Sequence, residues 1–266
     1  MDWSLAYVAL GLFTGFSAGL LGIGGGLVMV PALTMMFAAQ GAFPAAEVLH
    51  LALGTSIATI LFTSLSSLRA HHQHGAVLWQ VVIRITPGIL LGTVVGTLLA
   101  ANVPAKPLAL FFTCFVCFIA LQMALNFKPK PTRQLPGAGA LFSVGAGIGA
   151  ISSLVAIGGG AFTVPFLTWC NVRVQHAIGT SAAVGFPIAV GGTLGYIYNG
   201  LGHAGLPPGS LGYVFLPALA WLVPPSMLLA PVGARLAHRL PIAALKRIFA
   251  GLLVALAAKM LWKLFS

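Results

Sequence analysis

The chain has 266 residues, of which 59% are hydrophobic and only 6% are charged, about a quarter of the charged share usual in soluble domains. Thirteen Lys and Arg stand against two acids, a formal net charge of +11. Such a balance in a soluble protein would point to nucleic acid, but the uncharged runs 3–46, 134–172 and 174–234 exclude that class and place the chain in a bilayer.

The start, Met1-Asp2-Trp3, lacks the basic segment that precedes a cleaved leader, so the first apolar stretch is expected to persist as a helix over 4–22. Further helical elements are predicted at 26–39, 48–70, 77–101 and 105–126. A basic, proline-bearing linker at 128–136 follows, and elements resume at 137–156, 160–170, 175–198, 211–235 and 242–263. The linker divides the chain into a first transmembrane repeat, 1–127, and a second, 137–266.

The two parts carry the same phrases in order. Gly24-Gly25-Gly26 matches Gly158-Gly159-Gly160 at an offset of 134, and each triplet is followed by Val-Pro (Val30-Pro31 and Val164-Pro165). Gly54-Thr55-Ser56 matches Gly179-Thr180-Ser181 at an offset of 125, and Gly96 and Pro104 match Gly233 and Pro241 at 137. Ordered matches of this kind indicate an internal duplication.

Five elements per repeat is an odd number, so the second repeat is expected to enter from the opposite side. Pairing the first two elements as a re-entrant unit leaves three crossings, also odd. The expected fold is an all-α polytopic membrane protein of two inverted repeats, each with a broken half-helix at its triple glycine. One side collects Arg69, Lys128, Lys130, Arg133, Arg173, Arg235, Arg239, Lys246 and Arg247, and the other Lys106, Lys259 and Lys263. The richer side is expected to be cytoplasmic, with both termini outside. Arg84, inside an apolar helix near its start, is expected to snorkel to the interface.

Three consecutive glycines break a helix, and backbone freed at membrane depth is tolerated only inside protein or along a polar cavity. A helix restarting at Gly26 or Gly160 offers unpaired N–H groups and the positive end of its dipole, which hold an anion without a buried cation. Gly24, Gly25, Gly26, Gly158, Gly159 and Gly160 are therefore candidate substrate-binding residues. The hydroxyls of Thr55, Ser56, Thr180 and Ser181 are expected to supplement them. Glu47, the only acid besides Asp2, lies one turn before His50, and His176 sits near the matching place in the second repeat. These three are the candidates for proton coupling, since histidine changes charge near neutral pH.

Two other motifs carry less. His71-His72-Gln73-His74 has no ligand spacing and no carboxylate beside it, and Cys114-x-x-Cys117 lies in an apolar segment. No metal, cofactor or nucleic acid is expected, and no nucleophile–base pair marks an enzyme.

The phrases Gly15-Phe16-Ser17-Ala18-Gly19 through Gly24-Gly25-Gly26 and Val30-Pro31, their second copy, and the Gly-Thr-Ser pairs resemble the TauE/SafE family of sulfite and organosulfonate exporters. The likeness runs over essentially the whole chain. It implies a bacterial inner-membrane permease for small sulfur oxyanions or related carboxylated anions. Ala156 departs from the pattern, standing where the first copy has Gly22. The expected function is an alternating-access secondary transporter exporting sulfite, sulfoacetate or a related sulfonate, with a coupling proton and a homo-oligomeric state both open. An anion channel or a permease for another small oxyanion or carboxylate is the alternative.

Overall fold

The structure is a computed structural model that describes residues 3–125, 133–203, 205–237 and 242–265. The helices are α1 (Ser4–Leu21), α2 (Gly26–Gln40), α3 (Val48–Gln73), α4 (Trp79–Asn102), α5 (Ala105–Ala124), α6 (Ala138–Leu154), α7 (Gly160–Trp169), α8 (Val174–Gly200), α9 (Leu216–Ala237) and α10 (Ile242–Phe265). Among the described residues, six of them (α1, α3, α4, α5, α8 and α9) are long and apolar enough to cross a bilayer. The chain is an all-α, multi-pass membrane protein. Residues 126–132, which include the first five of the linker with Lys128 and Lys130, lie outside the described residues, as do Asp2 and Arg239.

One predicted element starts elsewhere. The stretch predicted as helix from 211 is instead a short hairpin, β1 (Ser210–Leu211) paired antiparallel with β2 (Val214–Phe215), and α9 begins only at Leu216. Gly209 and Gly212 have φ of +86° and +55°, and these left-handed turns stop a helix from extending back through them.

The short helices double back rather than continue the long ones. Tyr7 near the start of α1 meets Phe37 edge to face, and its hydroxyl accepts a 2.7 Å bond from Gln40 at the end of α2. α1 and α2 therefore begin and end on the same side, joined through the first glycine break. The second pair repeats this: Arg133, just before α6, donates its N–H to the Trp169 carbonyl at the end of α7, and its guanidinium lies 5.5 Å from that ring. Phe37, Phe43 and Phe215 close the N-terminal side with ring centroids 4.5–5.7 Å apart.

Two seams tie the parts of the chain together. Gly11, Gly15 and Gly19 of α1 lie in turn against Leu222, Ser226 and Ala230 of α9, a parallel crossing at backbone contact. Gly88, Gly92 and Gly96 of α4 lie likewise against Phe142, Ala146 and Ala150 of α6. Small residues every fourth position let helices approach this closely in lipid. Gly92→Val is expected to destabilise the protein by about 3 kcal/mol, since its side chain would enter the Ala146 carbonyl. Gly147→Val, on an α6 face with nothing within 4 Å, is the control. Thermal unfolding in detergent separates them.

α3 and α8 cross antiparallel, with Ile57 against Gly192 and Ser64 beside Gly185. Both are largely buried and stand at the centre of the bundle. Arg84 is exposed in the second turn of α4, as its expected snorkelling requires.

Candidate functional site

The site grows from the two glycine breaks. Gly25 and Gly159 cap α2 and α7 with φ of +78° and +76°, the left-handed conformation that a Cβ opposes. Gly22 has φ +69°, and Ala156, its counterpart, takes the same left-handed region at φ +50°. The departure noted in the sequence thus keeps the left-handed turn at this position and stores local strain at the second break, while the paths diverge at Gly24, left-handed at φ +79°, and Gly158, which is not.

The breaks touch each other reciprocally. A Cβ on Gly24 would lie 2.8 Å from the Gly158 Cα, and the Gly158 N–H donates to the Ile23 carbonyl at 3.2 Å. Gly26 packs on the Ala156 carbonyl, and Gly160 packs on the Gly22 carbonyl. The packing contacts exchange when 134 is added to the first-copy residue, so an approximate local two-fold passes between Gly24 and Gly158; among the described residues the Gly158–Ile23 bond has no such counterpart. Two helix N-termini converge there. Among the described residues, no backbone carbonyl takes the N–H groups of Gly159, Gly160 and Ala161, as expected for a helix start.

The predicted hydroxyls divide into two kinds. Ser181 donates to the Ile178 carbonyl at 2.8 Å and reaches the Gly22 carbonyl at 3.3 Å; Ser56 reaches the Ala156 carbonyl at 3.5 Å. Both serines therefore stand at the breaks. Thr55 and Thr180 do not: their hydroxyls accept the N–H groups of Phe215 and Leu78, each at 3.0 Å. They anchor the chain entering α9 and α4 beside Gly54 and Gly179, which lie against the carbonyls of Tyr213 and Ala76.

Most other buried hydroxyls bond to their own helix, as Thr14, Ser17, Thr59 and Thr63 do. Ser152 and Thr163 are fully buried with oxygens that have no partner. Sequence reasoning passed over both, because single Ser and Thr residues in apolar helices carry no pattern. Their only signal was a mismatch: Ala18 and Met29 occupy the corresponding places in the first copy.

Glu47 and His50 meet near the N-terminal side. His50 Nε2 lies 3.1 Å from the Ala100 carbonyl, which makes that nitrogen the donor, and Nδ1 faces Glu47 Oε2 at 3.8 Å. Tyr213, also unmarked in the sequence, lies ring to ring 5.2 Å from His50, with its phenol close to the Glu47 carboxylate. Burial first, then the nearby carboxylate, pushes that phenol up to about 12, so it stays a donor at neutral pH. His203 also lies against Tyr213, its ring tilted and 5.4 Å away. His176 lies at the start of α8, away from this group, with a buried, unpartnered Nδ1.

His71 is fully buried and bonds the Gly19 carbonyl at 3.0 Å, while Tyr196 donates to the Ser153 carbonyl at 3.1 Å. The two pairs correspond at the offsets 125 and 134, so a His and a Tyr perform the same tie in the two copies. Among the described residues no three His, Cys, Asp or Glu side chains gather as a metal site.

Comparison with known proteins agrees with this architecture. The family model "Sulfite exporter TauE/SafE" matches residues 7–260. A Haemophilus influenzae protein named "Probable membrane transporter protein" is 36% identical over 261 residues, covering 97% of this chain and 98% of the relative. YdhB of Bacillus subtilis is 28% identical over 74% of this chain and 78% of its own length, and MJ0441 of Methanocaldococcus jannaschii is 25% identical over 88% and 86%; both carry the same description. No solved structure matches. A membrane-embedded helical bundle built on two touching glycine breaks, matched over nearly its whole length, belongs to the TauE/SafE sulfite exporter family.

Proposed function

We propose that this membrane transporter is a secondary, alternating-access exporter of a small sulfur-containing anion, sulfite or an organosulfonate such as sulfoacetate, in a bacterial inner membrane. The observation that carries the reading is the convergence of two helix N-termini at Gly24 and Gly158. Their free N–H groups and dipoles supply positive potential at membrane depth without a buried cation. The family's description as sulfite exporters supports the substrate class.

The antiparallel crossing of α3 and α8 and the reciprocal contacts support two inverted repeats, 1–127 and 137–266, joined by the linker 128–136. Arg69, Arg133, Arg173 and Arg235 lie at helix ends opposite the N-terminus, which supports a cytoplasmic linker and periplasmic termini. Gly24–Gly26 and Gly158–Gly160, with Ser56 and Ser181 beside them, form the binding region. Thr55 and Thr180 hold its walls. Glu47 and His50 are the coupling pair, and the lone His176 a lesser candidate.

Flux into proteoliposomes tests the reading with sulfite, sulfate, sulfoacetate and small carboxylates as the panel. Saturable sulfite or sulfoacetate flux, accelerated by substrate on the trans side, is expected. Channel-like rates insensitive to trans substrate would replace the transporter with a channel, and no flux of any anion would overturn the reading.

A further inference from the structure

The two breaks share left-handed turns at 22/156 and 25/159, but only the first is also left-handed at its first glycine, Gly24, and their surroundings differ. Both breaks have a backbone carbonyl against the first residue of their helix, and they differ at the capping glycine: a Cβ on Gly25 would lie 2.8 Å from the Thr14 carbonyl oxygen, backbone that cannot move aside. At the second, the corresponding Cβ on Gly159 would meet only side chains: the flexible tip of Ile188, then Ile148 at 3.6 Å and the Ser152 hydroxyl at 3.7 Å. Ser152 Oγ is fully buried and has no partner. Thr163, four residues after Gly159, bonds its N–H to the Gly159 carbonyl, and its helical geometry tilts the side chain back toward the break. Its hydroxyl is likewise fully buried and unpartnered, unlike those of the other threonines that bond the carbonyl one turn earlier. An orphaned hydroxyl inside a membrane protein is costly, and two beside one free helix start require an explanation.

Within the proposed transport reading, on which this rests, we propose that the anion sits asymmetrically in the binding region formed by the two breaks, taking its direct hydrogen bonds from the second. The N–H groups of Gly159, Gly160 and Ala161 hold one of its oxygens, and the hydroxyls of Ser152 and Thr163 donate to the other two. Ile188 closes the site. The first break, with Ala18 and Met29 in place of the hydroxyls, serves as its structural counterpart. The ligand class is a compact oxyanion with three or more acceptor oxygens, such as sulfite or a sulfonate head group, whose pyramidal oxygens point one each to the amides and the two hydroxyls. A monocarboxylate holds its two oxygens in one plane and leaves one of these three directions without an oxygen.

Equilibrium binding of radiolabelled sulfite to the purified full chain in detergent, under anaerobic conditions, tests this, with acetate and sulfoacetate as competitors. Ser152→Ala and Thr163→Val are each expected to weaken sulfite binding by about tenfold or more, the worth of one hydrogen bond to a charged group. Thr163→Ser is expected to stay within about twofold of the parent, and Ser17→Ala, beside the first break, to bind as the parent does. Thr163→Val should keep or raise the melting temperature, because it removes a hydroxyl that nothing in the protein satisfies. A lowered melting temperature would mean a structural partner, and would overturn the proposal. So would wild-type sulfite affinity in both variants, or acetate competing as well as sulfoacetate. Absence of sulfite binding in the parent protein would instead overturn the transport reading itself.

Discussion

Gly24→Ala is expected to abolish transport and to destabilise the protein by about 2–5 kcal/mol, the sum of a left-handed Cβ and an overpacked contact. The two contributions arise differently. Gly24 has φ +79°, where an L side chain crowds its own carbonyl, and the added methyl would press on the Gly158 backbone at 2.8–2.9 Å. Backbone cannot swing away as a side-chain tip can, so one half of the crossing has to shift. Gly41 separates the two effects: its φ is +66°, but nothing lies within 4 Å. Gly41→Ala is therefore expected to cost only about 1 kcal/mol and to leave flux intact. Thermal unfolding in detergent and sulfite flux in proteoliposomes measure both. Parental stability and flux in Gly24→Ala would show that the crossing does not carry the site.

Glu47→Gln and His50→Asn are each expected to slow proton-driven flux by about tenfold, within the usual range of coupling between two sites, and to flatten its dependence on pH. With Nε2 held as the donor to the Ala100 carbonyl, a neutral His50 turns its Nδ1 lone pair toward Glu47 Oε2. Adding one proton at Nδ1 converts a juxtaposition of acceptors into an attractive pair, and removing it restores the repulsion. The Tyr213 phenol remains protonated throughout, so it reports on the carboxylate without titrating. Tyr213 sits in the segment that packs on Gly54 of α3 and Gly200 of α8, so it joins the pair to both central helices. Tyr213→Phe should keep the pH dependence and shift its midpoint. A pH profile unchanged in both Glu47→Gln and His50→Asn would remove the pair from coupling.

Much of the fold was legible in the sequence because the bilayer imposes it. Helix ends at 26, 105, 160 and 242 follow from glycine, proline and apolar run length. The site was legible only where it repeats. The triple glycines stood out because a break at membrane depth has few innocuous explanations, and two breaks at one offset have fewer. Thr55 and Thr180 repeat just as faithfully, yet their partners are the N–H groups of Phe215 and Leu78, more than a hundred residues away, and no local pattern reveals a bond of that span. Tyr213 was hidden for another reason. Its segment reads as apolar helix, and only the left-handed glycines around it turn the chain into a hairpin. Ser152 and Thr163 were invisible because symmetry directs attention to what two copies share, whereas these hydroxyls are what one copy lacks.

The parallel glycine seams have a mechanical consequence. α1, from the first part of the chain, is fused at backbone contact to α9 from the second, and α6 is fused in the same way to α4. Two sequence repeats rocking as separate rigid bodies would have to tear the tightest joints in the molecule. Any motion that spares those joints has α1 travelling with α9 and α4 with α6, so each moving plank is a composite of both repeats. The hinge then falls to the long α3 and α8, which meet in antiparallel register where the glycine breaks cross.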